Sequence, residues 1–159
     1  MEAFATLLDR LVLAPQRNAK LRLMVDYFRA TPDPDRGYAL AALTGELDIP
    51  SVKPAMLRAL TTERVDEVLF AYSYDYVGDL AETISLIWPA KPGANRARGL
   101  AEVVERLQAA SRSEGPKLVE GWLDALDTTG RWALIKLVAG GLRIGVSARL
   151  AKTAFAQAF

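Results

Sequence analysis

The chain contains no cysteine and no histidine. Without cysteine there is no disulfide framework and no thiolate nucleophile. Without histidine the chain lacks the commonest metal ligand and the usual general base at neutral pH. Asp75, Asp79 and Glu82 remain as an acid/base or metal set, but helix capping accounts for Asp79 and Glu82. We therefore expect no catalytic residue, metal site or cofactor in this chain.

Long apolar runs are also absent, and none approaches the length that crosses a bilayer. The start, Met1-Glu2-Ala3-Phe4, lacks the basic and apolar parts of a signal peptide. We expect a cytoplasmic protein that does not contact membranes. With 159 residues, of which 51% are hydrophobic, the chain has enough apolar material for one well-filled domain, residues 1–159.

The net charge of +1 hides an uneven distribution. From Thr128 to Phe159 there are five basic residues and no Asp or Glu, whereas the preceding part has fifteen basic and nineteen acidic residues. The net charge is therefore +5 in the last segment and −4 before it. A segment with charge of one sign attracts partners of the opposite sign, so the C-terminal segment predicts an anionic partner.

Hydrophobic spacing predicts about nine short helices joined by turns, and no strand, in a compact all-α fold. The segment Val65 to Tyr76 is ambiguous, because its tyrosines alternate as in a strand while its other apolar residues fit a helix. Helix is the better prediction, since no partner strand is visible. Other predicted helices include residues 2–13, Tyr38–Leu47, Leu118–Leu126 and Ala148–Ala158, with breaks at Thr31–Asp35, Pro89–Gly99 and Ser111–Pro116.

The stretch from Gly140 to Ser147 lies between two predicted helices and carries Arg143 between glycines. Its Gly-x-x-x-x-Gly spacing is not a nucleotide-binding P-loop, because Val146 replaces the required lysine and a helix precedes it. Gly140 or Gly141 is predicted to end the first helix, and Ser147 to cap the second. Bare backbone near Gly141 and Gly145, a helix N-terminus and Arg143 together suit phosphate or a minor groove. An exposed arginine in an ordinary turn is the alternative.

Three further basic sets are candidates for phosphate contact. Arg149 and Lys152 lie three residues apart, on one face of the last helix, and Lys136 belongs to the same acid-free region. Arg17, Lys20 and Arg22 form a second set, and Lys91, Arg96 and Arg98 form the weakest, on a loop. The alternative for each set is an ordinary solvated surface that binds no ligand. The tryptophans and the set Tyr72, Tyr74 and Tyr76 are predicted to be core rather than base-stacking platforms.

Three segments together resemble the N-terminal DNA-binding domain of ATP-dependent DNA ligases, especially the bacterial ones. The first is Trp132 to Phe155 with its Leu-Arg-Ile-Gly signature, and the second is Tyr76 to Thr83 with Gly-Asp-Leu-Ala-Glu. The third is the chain's start, with Phe4, Leu7 and Leu8 followed by Arg17, Lys20 and Leu23.

The resemblance implies an all-helical domain that binds nicked double-stranded DNA across the minor groove, mostly through phosphates. The parent enzyme would seal nicks in repair, recombination or replication, with ATP and Mg²⁺, on a lysine in a Lys-x-Asp-Gly motif. No lysine of this chain is followed by that pattern, so the nucleotidyltransferase and OB domains are expected to be separate from it. Carried over by position, the family's glycine-rich DNA-contacting loop falls on Gly141, Arg143 and Gly145.

The sequence therefore predicts a monomeric, non-sequence-specific DNA-binding domain that works with the remaining ligase domains and is inactive alone. The predicted contacts are Gly141, Arg143, Gly145, Ser147, Arg149, Lys152, Lys136, Arg17, Lys20 and Arg22. A helical protein–protein interaction module without DNA affinity and a helix-turn-helix regulator are the alternatives.

Overall fold

The computed structural model describes residues 1–89, 99–139 and 142–159, which contain ten α-helices and no strand. All-α is therefore confirmed for this part of the chain. The helices are α1 (Glu2–Leu13), α2 (Arg17–Ala30), α3 (Asp35–Thr44), α4 (Pro54–Arg64), α5 (Glu67–Val77), α6 (Leu80–Ile87), α7 (Leu100–Ala109), α8 (Glu114–Ala125), α9 (Thr128–Val138) and α10 (Ala148–Ala158).

Helix α9 is the centre of the fold. It packs against α1, α6 and α8, and seven of its eleven residues are buried, so its apolar residues are not confined to one stripe. Helix α1 then packs on α2, and α10 covers α2 and α3. Between α2 and α10 the fully buried Phe28 meets Phe155 edge-on, with ring centroids 5.2 Å apart. The core is thus continuous from α9 outward to α10.

Arg131 lies inside this core, although it belongs to the basic C-terminal segment. Its side chain is buried, and its Nε donates to the Leu123 carbonyl oxygen at 2.9 Å. Its Nη1 also reaches the Trp88 carbonyl oxygen, at 3.5 Å. These carbonyls lie at the C-terminal ends of α8 and α6. Carbonyl groups there lack intrahelical N–H partners, and positive charge is favoured. Arg131 therefore joins three helices and is not available to an external anion.

A second polar cluster holds α4, α6 and α8 together. Arg64 binds both carboxylate oxygens of Asp124, at 2.8 and 3.0 Å, in the two-pronged geometry that makes such pairs strong. Asp124 also accepts from the Trp88 indole N–H at 3.0 Å, and the Arg64 guanidinium lies 5.0 Å from the Trp88 ring centre. Trp88 and Trp122 are buried and Trp132 is half-buried, as predicted for core tryptophans.

Two predicted boundaries were wrong for identifiable reasons. The third helix begins at Asp35 rather than Tyr38, and the Asp33 carboxylate before it accepts from the Arg36 guanidinium in its first turn at 2.8 Å. Gly45, at φ 77°, then ends that helix in the left-handed conformation that glycine permits.

The predicted break at Ser111–Pro116 is in part the start of α8. Ser111 Oγ accepts from the Glu114 N–H at 3.2 Å, and the Glu114 carboxylate accepts from the Ser111 N–H at 3.4 Å. This is the reciprocal Ser-x-x-Glu pair that starts helices. Pro116 fits in the first turn, where its missing N–H has no helical partner to lose.

The prediction for Tyr72 and Tyr76 also fails. Helix α5 forms as expected, but both side chains face solvent, because α5 buries only Phe70 among its side chains. A sequence pattern that fits a helix does not reveal which face finds a partner.

Gly115→Ala is predicted to destabilise the protein by about 1–3 kcal/mol, because an added methyl has no room. A Cβ at Gly115 would lie 2.7 Å from both oxygens of Ser51, whose hydroxyl is held by the Leu107 carbonyl at 2.7 Å. Urea unfolding followed by circular dichroism measures the loss.

Gly121→Ala, in the same helix, is the matched control. Nothing lies within 4 Å of its Cβ position, so alanine should stabilise α8 by up to about 1 kcal/mol through helix propensity. Equal stability of the two variants would contradict a close contact between α8 and Ser51.

Candidate nucleic-acid interface

The turn before α10 points its alternate residues in opposite directions. Leu142 and Ile144 are buried and anchor the turn, whereas Arg143 and Gly145 face solvent. Arg143 adopts φ 50°, which is uncommon for a residue other than glycine, and Gly145 adopts φ 77°. The two apolar anchors explain how the turn holds Arg143 outward in this strained backbone conformation.

Lys20 joins α2 to this turn across 125 residues of sequence. Its Nζ donates to the Gly145 carbonyl oxygen at 2.9 Å. A Cβ on Gly145 would lie 3.0 Å from the same Nζ, at the flexible end of the lysine, so it is mainly the positive φ that favours glycine there. Two basic segments that are separate in the sequence therefore form one surface.

Ser147 starts α10 as predicted. Its Oγ accepts from the Leu150 N–H at 3.0 Å, and its backbone is extended, as at an ordinary N-cap. Arg149 and Lys152 are exposed on α10, while Leu150, Ala151 and Ala154 are buried on its other side. The positive end of the helix thus faces the same solvent region as the capping serine and Arg149.

The three basic residues of α2 are not equivalent. Arg17 is exposed in the first turn, one turn before Lys20. At 3.6 residues per turn, Arg22 lies about 160° around the helix from Lys20. Arg17 and Lys20 therefore belong to the surface beside the turn, whereas Arg22 lies on almost the opposite side of α2.

Acidic side chains from other parts of the chain pair with two of the predicted cations. Lys152 lies 3.7 Å from the Glu46 carboxylate, with both side chains well exposed. Lys136, predicted to contact an anion, is mostly buried and donates to Asp79 at 2.8 Å. Nothing in the sequence signals either neighbour, because Asp79 and Glu46 are far from their partners in the chain. The +5 of the C-terminal segment is thus only partly available outside, since Arg131 and Lys136 act within the fold.

The Asp79–Lys136 pair also fixes the start of α6. Asp79 is the N-cap of that helix, as predicted, and accepts from the Ala81 N–H at 2.8 Å. Burial raises the pKa of Asp79, but the ammonium of Lys136 and the backbone N–H groups of Ala81 and Glu82 together hold it below its ordinary 3.8. The Asp79 carboxylate therefore both caps α6 and pairs with the mostly buried Lys136.

Some predicted contacts fall outside the described residues. These are Gly140 and Gly141 and the loop residues Lys91, Arg96 and Arg98. Within the described ranges, no cluster of three or more acidic side chains is arranged to hold a metal ion, and no helix is long and apolar enough to cross a bilayer.

The side chains of Arg143, Arg149 and Arg17 have no hydrogen-bond or ion-pair partner among the residues that the structure describes. Because Lys20 donates to Gly145, its spare donors, the Arg143 guanidinium and the first turn of α10 belong to one surface. These are the groups that proteins use to bind phosphate oxygens.

The sequence matches no protein-family model, and no curated protein is significantly similar to it.

Asp79→Asn is predicted to lower stability at neutral pH, with a loss that fades in acid. Asparagine keeps the capping oxygen but removes the charge that Lys136 needs. Because the folded-state pKa of Asp79 is lowered, its stabilisation is fully present above the unfolded value near 4 and is lost as the pH falls through the folded value. Urea unfolding from neutral pH to about pH 3 measures this convergence with the native protein.

Asp79→Ala is the companion variant, and it should lose about 1 kcal/mol more because the cap is lost too. A constant difference between Asp79→Asn and the native protein at every pH would contradict the ion pair as the cause.

Proposed function

We propose that this chain is a non-sequence-specific DNA-binding domain that docks on nicked double-stranded DNA through Arg17, Lys20, Arg143, Ser147, Arg149 and Lys152. The observation that carries the proposal is the Lys20–Gly145 hydrogen bond. It joins the basic start of α2 to the Arg143 turn and the N-terminus of α10. The resulting surface offers several unpaired donors, which suits a phosphate backbone.

The geometry favours backbone contact over base reading. Phosphate contacts position a protein on the duplex without carrying sequence information, and Arg, Lys, Ser and helix N-termini supply them. Arg143, on its outward turn, is the residue best placed to enter a minor groove, where arginine is favoured by the negative potential.

The ligase assignment rests on the resemblance of the sequence segments, and one contact supports it. Asp79 lies in the Gly-Asp-Leu-Ala-Glu segment and Lys136 in the segment that leads to Leu-Arg-Ile-Gly, and the two side chains meet at 2.8 Å. Helix α6, which Asp79 caps, packs on α9, which contains Lys136. The two segments thus form one unit, as parts of a single family fold would.

In this proposal the domain holds the nick while other domains of an ATP-dependent DNA ligase join the strands. ATP and Mg²⁺ would act on those domains, since this chain carries no Lys-x-Asp-Gly. The chain alone, expected to be a monomer, would bind DNA without ligating it. Lys136, Arg22 and Arg131 contribute to the fold or lie away from the proposed contact surface.

Binding to a fluorescent nicked duplex is predicted to weaken steeply with salt. If about five phosphates are neutralised, log K should fall against log salt with a slope of about −4 to −5. Fluorescence anisotropy across a salt series measures the slope, and an unlabelled duplex of unrelated sequence should compete equally. Absence of binding at low salt, or a flat salt response, would refute the proposal, and a strong sequence preference would indicate a helix-turn-helix regulator instead.

Arg143→Ala is predicted to weaken duplex binding and to reduce the salt slope by about 1, because one phosphate contact is lost. Stability should change little, since Arg143 is exposed and alanine carries the same Cβ at this positive φ.

Arg112→Ala is the matched control, because Arg112 is an exposed arginine between α7 and α8, outside the proposed surface. The same anisotropy titration should leave its affinity unchanged. Equal losses in the two variants would show a general charge effect rather than a contact at the turn.

A further inference from the structure

The outer side of α5 is an exposed apolar strip. Tyr72 is 73% exposed and Tyr76 is 93% exposed, and beside them lie Val68 and Leu69, both more than half exposed. At 3.6 residues per turn these four side chains lie within an arc of about 100° of the helix. Scattered apolar residues are ordinary on a surface, but a contiguous strip of this kind marks an interaction site.

The opposite side of α5 holds the helix in place. Phe70 is buried, and Tyr74 stacks on it with ring centroids 6.1 Å apart. The Arg58 guanidinium, from α4, lies 5.1 Å from the Tyr74 ring centre. The strip therefore sits on a fixed helix, and its orientation does not depend on a ligand.

Acidic side chains border the strip. Glu67 and Asp75 lie along one edge of α5, and Asp66, which caps the helix by accepting from the Val68 N–H at 2.7 Å, lies at its start. Glu67 and Asp75 have no ion-pair partner among the described residues. The sequence has no Lys or Arg between Arg64 and Lys91.

Two adjoining depressions lie beside the strip on α5. One, of about 440 Å³, is lined by Glu67, Val68, Ala71, Tyr72 and Asp75. The other, of about 390 Å³, lies between α4 and α5, shares Glu67, Ala71 and Asp75 with the first and is also lined by Arg58. In the first depression, which has no basic side chain, the small Ala71 leaves space for a cationic group beside Glu67 and Asp75 and for an apolar group beside Val68.

We infer that the outer side of α5 docks a basic amphipathic helix of a partner protein. Apolar side chains of that helix would cover Val68, Leu69 and the tyrosine rings. Its Lys and Arg side chains would reach Glu67 and Asp75 and lie over the faces of Tyr72 and Tyr76, which attract cations. This site is independent of the proposed DNA contacts, since none of those residues belongs to α5.

The charges select this occupant over two others. A nucleic acid would bring phosphates against the bordering carboxylates, although the tyrosines alone would suit base stacking. A second copy of the chain, paired strip to strip, would bring acidic edges of the same sign together. A partner with positive charge around an apolar stripe satisfies both features of the surface.

The test uses the 159-residue chain and two fluorescent amphipathic helical peptides, one of Leu and Lys and one of Leu and Glu with the same pattern. The Leu/Lys peptide should bind saturably and the Leu/Glu peptide should not. Tyr72→Ala combined with Tyr76→Ala should weaken binding about tenfold, as expected for aromatic residues at the centre of an interface. Asp75→Lys should weaken the Leu/Lys peptide similarly and improve binding of the Leu/Glu peptide.

Leu13→Ala and Glu105→Lys are the matched controls, because both side chains are exposed on other helices. They should leave the affinity for the Leu/Lys peptide unchanged. Equal binding of both peptides, or equal effects of control and α5 variants, would overturn the inference. Dimerisation or binding of single-stranded DNA that is lost in the Tyr72/Tyr76 variant would overturn it too, by assigning the strip to another occupant.

Discussion

The burial of α9 against α1, α6 and α8 is the constraint on which the rest of the structure depends. Near the start of α9, Arg131 binds the carboxyl ends of α6 and α8. In the last turn of α9, Lys136 binds Asp79 at the start of α6. Both basic residues are satisfied inside the protein by helix termini and a capping carboxylate. Helix α9, fixed at both ends, has a defined position relative to α1, α6 and α8.

The proposed interface follows from that position. The turn is anchored by Leu142 and Ile144, which are buried, and it meets Lys20 of α2 at the Gly145 carbonyl. Helix α10 then returns over α2 and closes on Phe28 through Phe155. Arg143, Arg149 and Arg17 face solvent because neighbouring residues in their own segments are buried in the core. Packing rather than charge therefore decides where these cations lie.

Local chemistry explains which parts of this arrangement were predictable. The all-α class of the described residues, the capping roles of Asp79 and Ser147 and the exposed face of α10 depend on neighbours within one turn, and these predictions are confirmed. The predicted start of α8 is wrong although its Ser-x-x-Glu signal is local, because Gly115-Pro116 is also typical of a break between helices. The exposure of Tyr72 and Tyr76 was missed for a different reason, since a helix pattern does not state how many of its faces find a partner.

The sequence by itself determined the helices, their capping residues and the clustering of basic residues in the last segment, because each depends on interactions over a few residues. Only the tertiary structure decided which of those cations act outside the fold. Arg131 and Lys136 turned inward because carbonyls of Leu123 and Trp88 and the carboxylate of Asp79 lie there. Lys20 and Gly145 met across 125 residues because α10 packs on α2. Contacts between distant segments arise from the way apolar faces are buried together, and charge counted along the chain does not contain that information.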